Sequence, residues 1–252
     1  MTLHHRVEGD GATVLVLGGS LGSTLAMWEP QLPSLTRRFR VVRYDHPGHG
    51  GSPVDEDVHS IEDLGRRVLA LLDELALERF DYCGLSLGGM VGMWLAAHAP
   101  DRVGRLVLCC TAPELGPPEG WLERAAAVRR DGVASVADAV VGRWFTNAFH
   151  AAQPGTVARH RAMLAATPAE GYARCCEAIA GLDLRGALPR IVAPTLVVTG
   201  ADDPVVDPER TRALTDGIPG AYHVELAGAA HLANVEQAKA FDTAILEHLE
   251  AA

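Results

Sequence analysis

A serine framed by glycines, Gly84-Leu85-Ser86-Leu87-Gly88, is the most chemically suggestive feature of this chain. A serine hydroxyl is a weak nucleophile until a base takes its proton, and a tight glycine-flanked turn can lift it clear of a sheet. The G-x-S-x-G spacing alone also fits an ordinary Gly-rich turn. Here, however, it follows the strand-like run Phe80-Asp81-Tyr82-Cys83 and opens the apolar stretch from Met90 to Ala99. That strand–turn–helix context is what a nucleophile elbow requires. It puts the Leu87 amide at a helix N-terminus, where it can face developing negative charge.

A serine nucleophile needs a base, and the base needs an orienting acid. Gly200-Ala201-Asp202-Asp203 comes directly after the run Thr195 to Val198, so both carboxylates sit at a strand's C-terminal end, where ligand chemistry gathers in open α/β sheets. Either aspartate meets that requirement. Of the eleven histidines, His231 alone lies in a loop after a late strand and before the terminal helix, which makes it the candidate base. A second oxyanion N–H must come from the loop after the early strand, Gly18-Gly19-Ser20-Leu21-Gly22. That loop has neither the Lys-Ser/Thr ending of a P-loop nor a G-x-G-x-x-G spacing, so no nucleotide site is indicated. His46 and His49 form an H-x-x-H in a Pro-Gly loop with no third ligand in evidence, and no metal site is expected there.

These residues need a sheet to hold them. Thr13 to Leu17, Arg40 to Tyr44, Phe80 to Cys83, Leu106 to Cys109, Ile191 to Val198 and His223 to Leu226 read as strands, most of them continuous apolar runs of the kind buried on both faces. Ser60-Ile61-Glu62-Asp63 is a capping box for a helix that carries Ile61, Leu64, Val68, Leu71, Leu72 and Leu75 on one face. Strand and helix alternate as in βαβ units, which predicts an α/β fold with a mostly parallel twisted sheet flanked by helices. From Pro113 to about Arg190 the strands stop. Helical stretches at Trp121–Arg130, Val133–Phe145, Thr156–Ala166 and Gly171–Ala180, punctuated by prolines, predict an inserted helical cap. The expected organisation is a core of residues 1–112 and 191–252 with a cap at 113–190. Val235 to Leu249 reads as one terminal amphipathic helix.

The 252 residues carry a formal net charge of −10, and Lys239 is the only lysine. No basic run exceeds a pair such as Arg37-Arg38, so neither nucleic acid nor an anionic membrane is an expected partner. The apolar stretch at Met90–Ala99 is too short to span a bilayer. Met1 to Asp10 is polar, which fits a cytoplasmic setting better than export. Five cysteines, none in a C-x-x-C, read as reduced thiols that pack like small hydrophobes. Oligomeric state is left open by the sequence.

With these residues in hand, the chain resembles the α/β-hydrolases, and within them the 3-oxoadipate enol-lactonases of the β-ketoadipate pathway. The narrower resemblance rests on Ser20 to Trp28, Glu119-Gly120-Trp121, Arg143-Trp144-Phe145-Thr146, Glu170 to Cys176 and Ala230 to Glu236, and it covers nearly the whole chain. Pro47 departs from it, since many members carry arginine there. The resemblance implies a Ser86–His231–Asp203 triad, because the family spaces its acid three residues after the glycine, and oxyanion amides from Leu21 and Leu87. It implies acyl transfer on a small anionic lactone without metal or cofactor. Such a substrate needs a local cation in an acidic protein. Arg143 offers a guanidinium fork for a carboxylate, and Trp144 an apolar wall with one N–H donor. The same triad would serve a carboxylesterase or a C–C bond hydrolase, and a hydrolase fold can also be a non-catalytic receptor.

Overall fold

The computed structural model describes residues 2–251. Seven strands, β1 (His5–Glu8), β2 (Thr13–Gly18), β3 (Phe39–Tyr44), β4 (Phe80–Leu85), β5 (Val103–Cys109), β6 (Thr195–Gly200) and β7 (Tyr222–Leu226), form one sheet in the order β1-β3-β2-β4-β5-β6-β7. All neighbours pair in parallel except β1, which runs antiparallel along β3. β4 and β6 are buried along their full length; β6 is apolar or small throughout, and in β4 the one charged side chain, Asp81, accepts from the Arg105 amide at 2.8 Å.

The helices follow in chain order: α1 (Leu32–Leu35), α2 (Ile61–Glu74), α3 (Leu87–His98), α4 (Pro118–Asp131), α5 (Ala137–Trp144), α6 (Asn147–Ala152), α7 (Pro154–Ala165), α8 (Ala169–Ala180), α9 (Pro208–Gly217), α10 (Ala233–Glu236) and α11 (Ala238–Leu249). Ser60 caps α2 as the sequence predicts: its hydroxyl accepts from the Asp63 amide at 3.1 Å. α3 has almost no polar face because it is buried from Leu87 to Ala97, against β2, β4 and β5 on one side and α2 on another. No described helix is long and apolar enough to cross a membrane.

Between β5 and β6 no residue is in a strand. α4 and α8 pack along each other there, and the Arg129 guanidinium joins them by reaching Glu170 at 2.8 Å and also Glu177. The two ends of this helical insertion are tied together where the Leu184 amide donates to the Pro113 carbonyl at 2.8 Å.

Two expectations need correcting, and one strand was not foreseen. β1 lies in the Met1 to Asp10 stretch, which the sequence marks only as polar. An edge strand partly open to solvent carries polar residues and shows no alternation. The stretch expected as one helix from Val133 is a 3₁₀ turn at Val133–Val136 followed by α5, and α6 is a separate helix capped by Thr146. The terminal helix is broken at Gln237, whose backbone (φ −120°, ψ 47°) leaves the helical region between α10 and α11. The five cysteines are all buried and none forms a disulfide.

Candidate active site

The sheet's strand order reverses between β2 and β4: from β2 the chain steps outward to β3, then returns to the other side of β2 for β4. Loops leaving the C-terminal ends of these two strands diverge there and leave a crevice. Ser86 stands on one side of it and the Gly18–Gly22 loop on the other.

Ser86 occupies the left-handed region (φ 56°, ψ −114°), a conformation that costs a non-glycine residue about 1–3 kcal/mol. The turn is held from three sides. The Ser86 amide donates to the Cys109 carbonyl at 2.9 Å, the Thr111 hydroxyl donates to the Ser86 carbonyl at 2.8 Å, and the Met90 amide donates to that same carbonyl at 3.0 Å. The glycines are required by space. A Cβ on Gly88 would lie 2.1 Å from the Gly18 carbonyl oxygen, and one on Gly84 would lie 2.2 Å from that of Gly88. The elbow therefore touches the β2 loop backbone to backbone.

That contact fixes the two candidate oxyanion amides relative to each other. The Gly19 carbonyl accepts from the Gly88 amide at 2.9 Å and from His46 Nε2–H at 3.0 Å. Burial, aided by the neighbouring His49, lowers the His46 pKa to about 3, so the ring stays neutral and keeps one proton for this bond. The adjoining Ser20 amide is engaged by the Met27 sulfur at 3.3 Å. Among the described residues, the Leu21 and Leu87 amides donate to nothing. Two amides on loops locked to each other can bind an oxyanion without reorganising. His46 and His49 are buried and bonded to the backbone carbonyls of Gly19 and Pro47.

On the far side of the crevice, His231 Nδ1 lies 2.9 Å from Asp203 Oδ2, with both side chains almost fully buried. Asp202 is exposed and makes no such contact. A carboxylate can only accept, so the neutral imidazole carries its proton on Nδ1 and presents Nε2 as a base. Asp203 Oδ1 accepts from the Val205 amide at 2.8 Å, which fixes the carboxylate's orientation. Cys110, also in the left-handed region (φ 44°), packs beside it. Burial first, and then the Asp203 charge, push the Cys110 thiol well above its ordinary range, so it stays neutral.

One cavity of about 280 Å³ joins these parts. Ser86, Leu21 and His231 line it, as do Arg143 and Trp144 of α5; the Leu87 side chain is fully buried beneath. Arg124, Tyr172 and Arg210 also line it and were not singled out from the sequence. Helix phase was the available signal: Arg124 falls one turn after Trp121 on α4.

Glu236 is a further residue that the sequence reading assigned no role. Its carboxylate accepts from the Ala230 amide at 2.9 Å, next to His231, and from the amide (3.1 Å) and hydroxyl of Thr146 at the start of α6. The Leu232 amide adds a bond to the Trp144 carbonyl at 2.9 Å. The histidine loop is thus clamped to the helical insertion. Glu236→Ala would strand partly buried donors and should cost about 2 kcal/mol, read as a fall of roughly 4–8 °C in Tm. It should also lower kcat by about tenfold as His231 loosens, a factor that corresponds to about 1.4 kcal/mol. Unchanged melting and turnover would show that the clamp contributes nothing.

Comparison with known proteins agrees with this architecture. Residues 12–238 match the family described as alpha/beta hydrolase fold. The chain is 39% identical over 231 residues to 3-oxoadipate enol-lactonase 2 of Acinetobacter baylyi, spanning 92% of this chain and 86% of that one. It is 33% identical over 252 residues to a Stutzerimonas stutzeri protein whose name proposes a carbamate hydrolase, spanning 98% and 95%. Superposition on the crystal structure of the enol-lactonase from Burkholderia xenovorans LB400 gives a TM-score of 0.95 at 43% identity, covering 98% of this chain and 96% of that chain. From elbow to sheet order to relatives, the lines converge: this chain belongs to the α/β-hydrolase family, as an ester-hydrolysing enzyme akin to the 3-oxoadipate enol-lactonases.

Proposed function

We propose that the enzyme hydrolyses 3-oxoadipate enol-lactone to 3-oxoadipate through an acyl-enzyme on Ser86. The reading rests chiefly on one observation: the strained serine and the His231–Asp203 pair open on one small cavity beside two unengaged amides. In the first half-reaction His231 Nε2 takes the Ser86 proton as Oγ attacks the ring carbonyl. The Leu21 and Leu87 amides hold the oxyanion, and Asp203 stabilises the imidazolium. The ring C–O bond breaks, the enol oxygen takes the proton back from His231, and the enol tautomerises to the ketone. Water, deprotonated by His231, then attacks the acyl carbon and releases Ser86 with a second carboxylate on the product.

Residues 113–190 act in this proposal as a cap, with Trp144 and Arg143 bounding the substrate. Every step is done by side chains and amides of the chain, without metal or cofactor. Such an enzyme would serve the β-ketoadipate pathway of aromatic-compound breakdown in the cytoplasm.

The test is loss of enol-lactone absorbance on mixing with purified protein, run beside p-nitrophenyl acetate and a small carbamate. The carbamate is included because of the Stutzerimonas stutzeri relative. The proposal expects kcat/KM on the lactone to exceed the other two by at least about tenfold, or 1.4 kcal/mol of transition-state preference. A preference for the carbamate or the simple ester would overturn the substrate while leaving the hydrolase.

A further inference from the structure

The cavity contains more positive charge than a triad needs. Three arginines line it, and no Asp or Glu does among the described residues. Arg210 is neutralised by an ion pair with Asp207. Arg124 and Arg143 have no carboxylate partner among the described residues, whereas Arg43, Arg67, Arg102 and Arg174, which are likewise shielded from solvent, each have one. Arg124 instead lies with its Cζ 4.6 Å over the Trp121 ring, a contact that holds a guanidinium in place without cancelling its charge. Arg143 is half-buried. Burial lowers its basicity, and the neighbouring Arg124 charge works in the same direction.

A third group lies near both. The Tyr172 hydroxyl on α8 is buried in the cavity wall close to Arg124 and Arg143, and its proton has no acceptor among the described residues. Burial pushes its pKa up, against the pull of the two nearby guanidiniums, so it stays a phenol with a proton to donate. Two unneutralised like charges and an unsatisfied buried donor, all lining one cavity, are costly unless something occupies the space they face. A carboxylate would relieve all three. It accepts up to four hydrogen bonds, matches the planar guanidinium fork, and turns the repulsion of the two arginines into shared attraction.

We propose that Arg124, Arg143 and the Tyr172 hydroxyl form a carboxylate subsite that selects acyl substrates carrying a free acid. This deepens the function proposed above and rests on it for the position of the reacting carbonyl. The three residues come from α4, α5 and α8, whereas Ser86 and His231 come from the loops after β4 and β7. The cavity therefore reads as two ends: a core end that breaks the ester bond and a helical end that grips the acid. The subsite also answers how a chain of net charge −10 accepts an anion. Repulsion from distant surface charge is screened beyond about 8 Å at physiological salt, so local charge in the cavity decides.

The test uses mono-p-nitrophenyl adipate and neutral p-nitrophenyl butyrate as paired substrates, and adipate as a non-reacting probe. In the wild-type protein the acid-bearing ester should be preferred. Arg124→Gln and Arg143→Gln should each lower the ratio of kcat/KM between the two esters by about 10- to 100-fold, the size of one charge-assisted hydrogen bond. Tyr172→Phe should lower it by about tenfold, and Arg124→Lys should recover part of the loss because charge remains while the fork is gone. Calorimetric binding of adipate to Ser86→Ala protein should weaken on adding the same glutamine substitutions, a readout independent of turnover and of any single variant's effect on catalysis. An unchanged ester ratio in folded Arg124→Gln and Arg143→Gln proteins, or adipate binding indifferent to both, would overturn the subsite. If no ester or lactone is hydrolysed yet adipate binding still depends on the arginines, the subsite stands and the proposed reaction falls.

Discussion

Ser86→Ala should retain the fold and lose about 10³-fold or more in kcat on every ester and lactone the enzyme accepts. The two halves of that expectation have separate causes. The backbone around Ser86 is held through its own amide and carbonyl, by Cys109, Thr111 and Met90, and none of these bonds uses the hydroxyl. Alanine meets the same left-handed backbone penalty as serine, so the substitution removes one oxygen from the cavity wall and disturbs little else. Activity is a different matter, since without Oγ no acyl-enzyme can form. Only water, oriented by His231 and aided by the oxyanion amides, remains as a nucleophile, and such residual routes typically run 10³–10⁴ above the uncatalysed rate. Turnover by absorbance, far-ultraviolet circular dichroism and labelling by a fluorophosphonate check the two halves independently. Retained activity with unchanged dichroism would discard the acyl-enzyme and favour direct attack by water.

Some parts of this site were legible in the sequence because only one physical solution fits them. The elbow is one: a backbone that must pass within van der Waals range of Gly18 leaves no room for a Cβ at Gly88, so the glycines announce the turn. The buried strand β6 is another, since it has no wet face and hence no charged residue along its length. From the residues alone the candidate acid was legible only to within one residue, and the family resemblance pointed to Asp203. Asp202 and Asp203 both follow β6, and composition cannot tell which one turns inward. The turn separates the two: the Asp202 amide donates to the Ala229 carbonyl while Asp203 takes the Val205 amide and faces His231.

What stayed illegible depends on contacts between distant segments. Arg124 looks like any solvated residue of an arginine-rich helix until α4, α5 and α8 are packed together and it is seen to lack a counter-ion. Glu236 looks like an ordinary helix-end acid until Thr146 is brought beside it from 90 positions away. β1 stayed hidden for the opposite reason, because a four-residue edge strand buries too little for its sequence to show a pattern.

Asp203→Asn should cost up to roughly 10⁴ in kcat with little change in stability, while Asp202→Asn should do almost nothing. The loss follows from where the two carboxylate oxygens point. Oδ1 accepts from the Val205 amide at 2.8 Å, and Oδ2 faces His231 Nδ1 at 2.9 Å. Asparagine has one oxygen and one NH₂ to put in these two places. If NH₂ faced the Val205 amide, two donors would meet, leaving a buried N–H unpaired at a cost of about 1–3 kcal/mol. The oxygen therefore keeps the amide, and NH₂ turns to the imidazole. Nδ1 must then accept, so the ring proton moves to Nε2, the atom that has to take the Ser86 proton. The base is thereby present, correctly located and in the wrong tautomer, and the imidazolium it would form has lost its counter-charge as well. Because the new side chain is the same size and still satisfies the Val205 amide, Tm should shift by no more than a few degrees. Paired measurements of kcat and Tm on the two asparagine variants check this directly. A large loss in Asp202→Asn together with a small one in Asp203→Asn would mean that the exposed aspartate orients the base, and the His231–Asp203 contact would then have no part in catalysis.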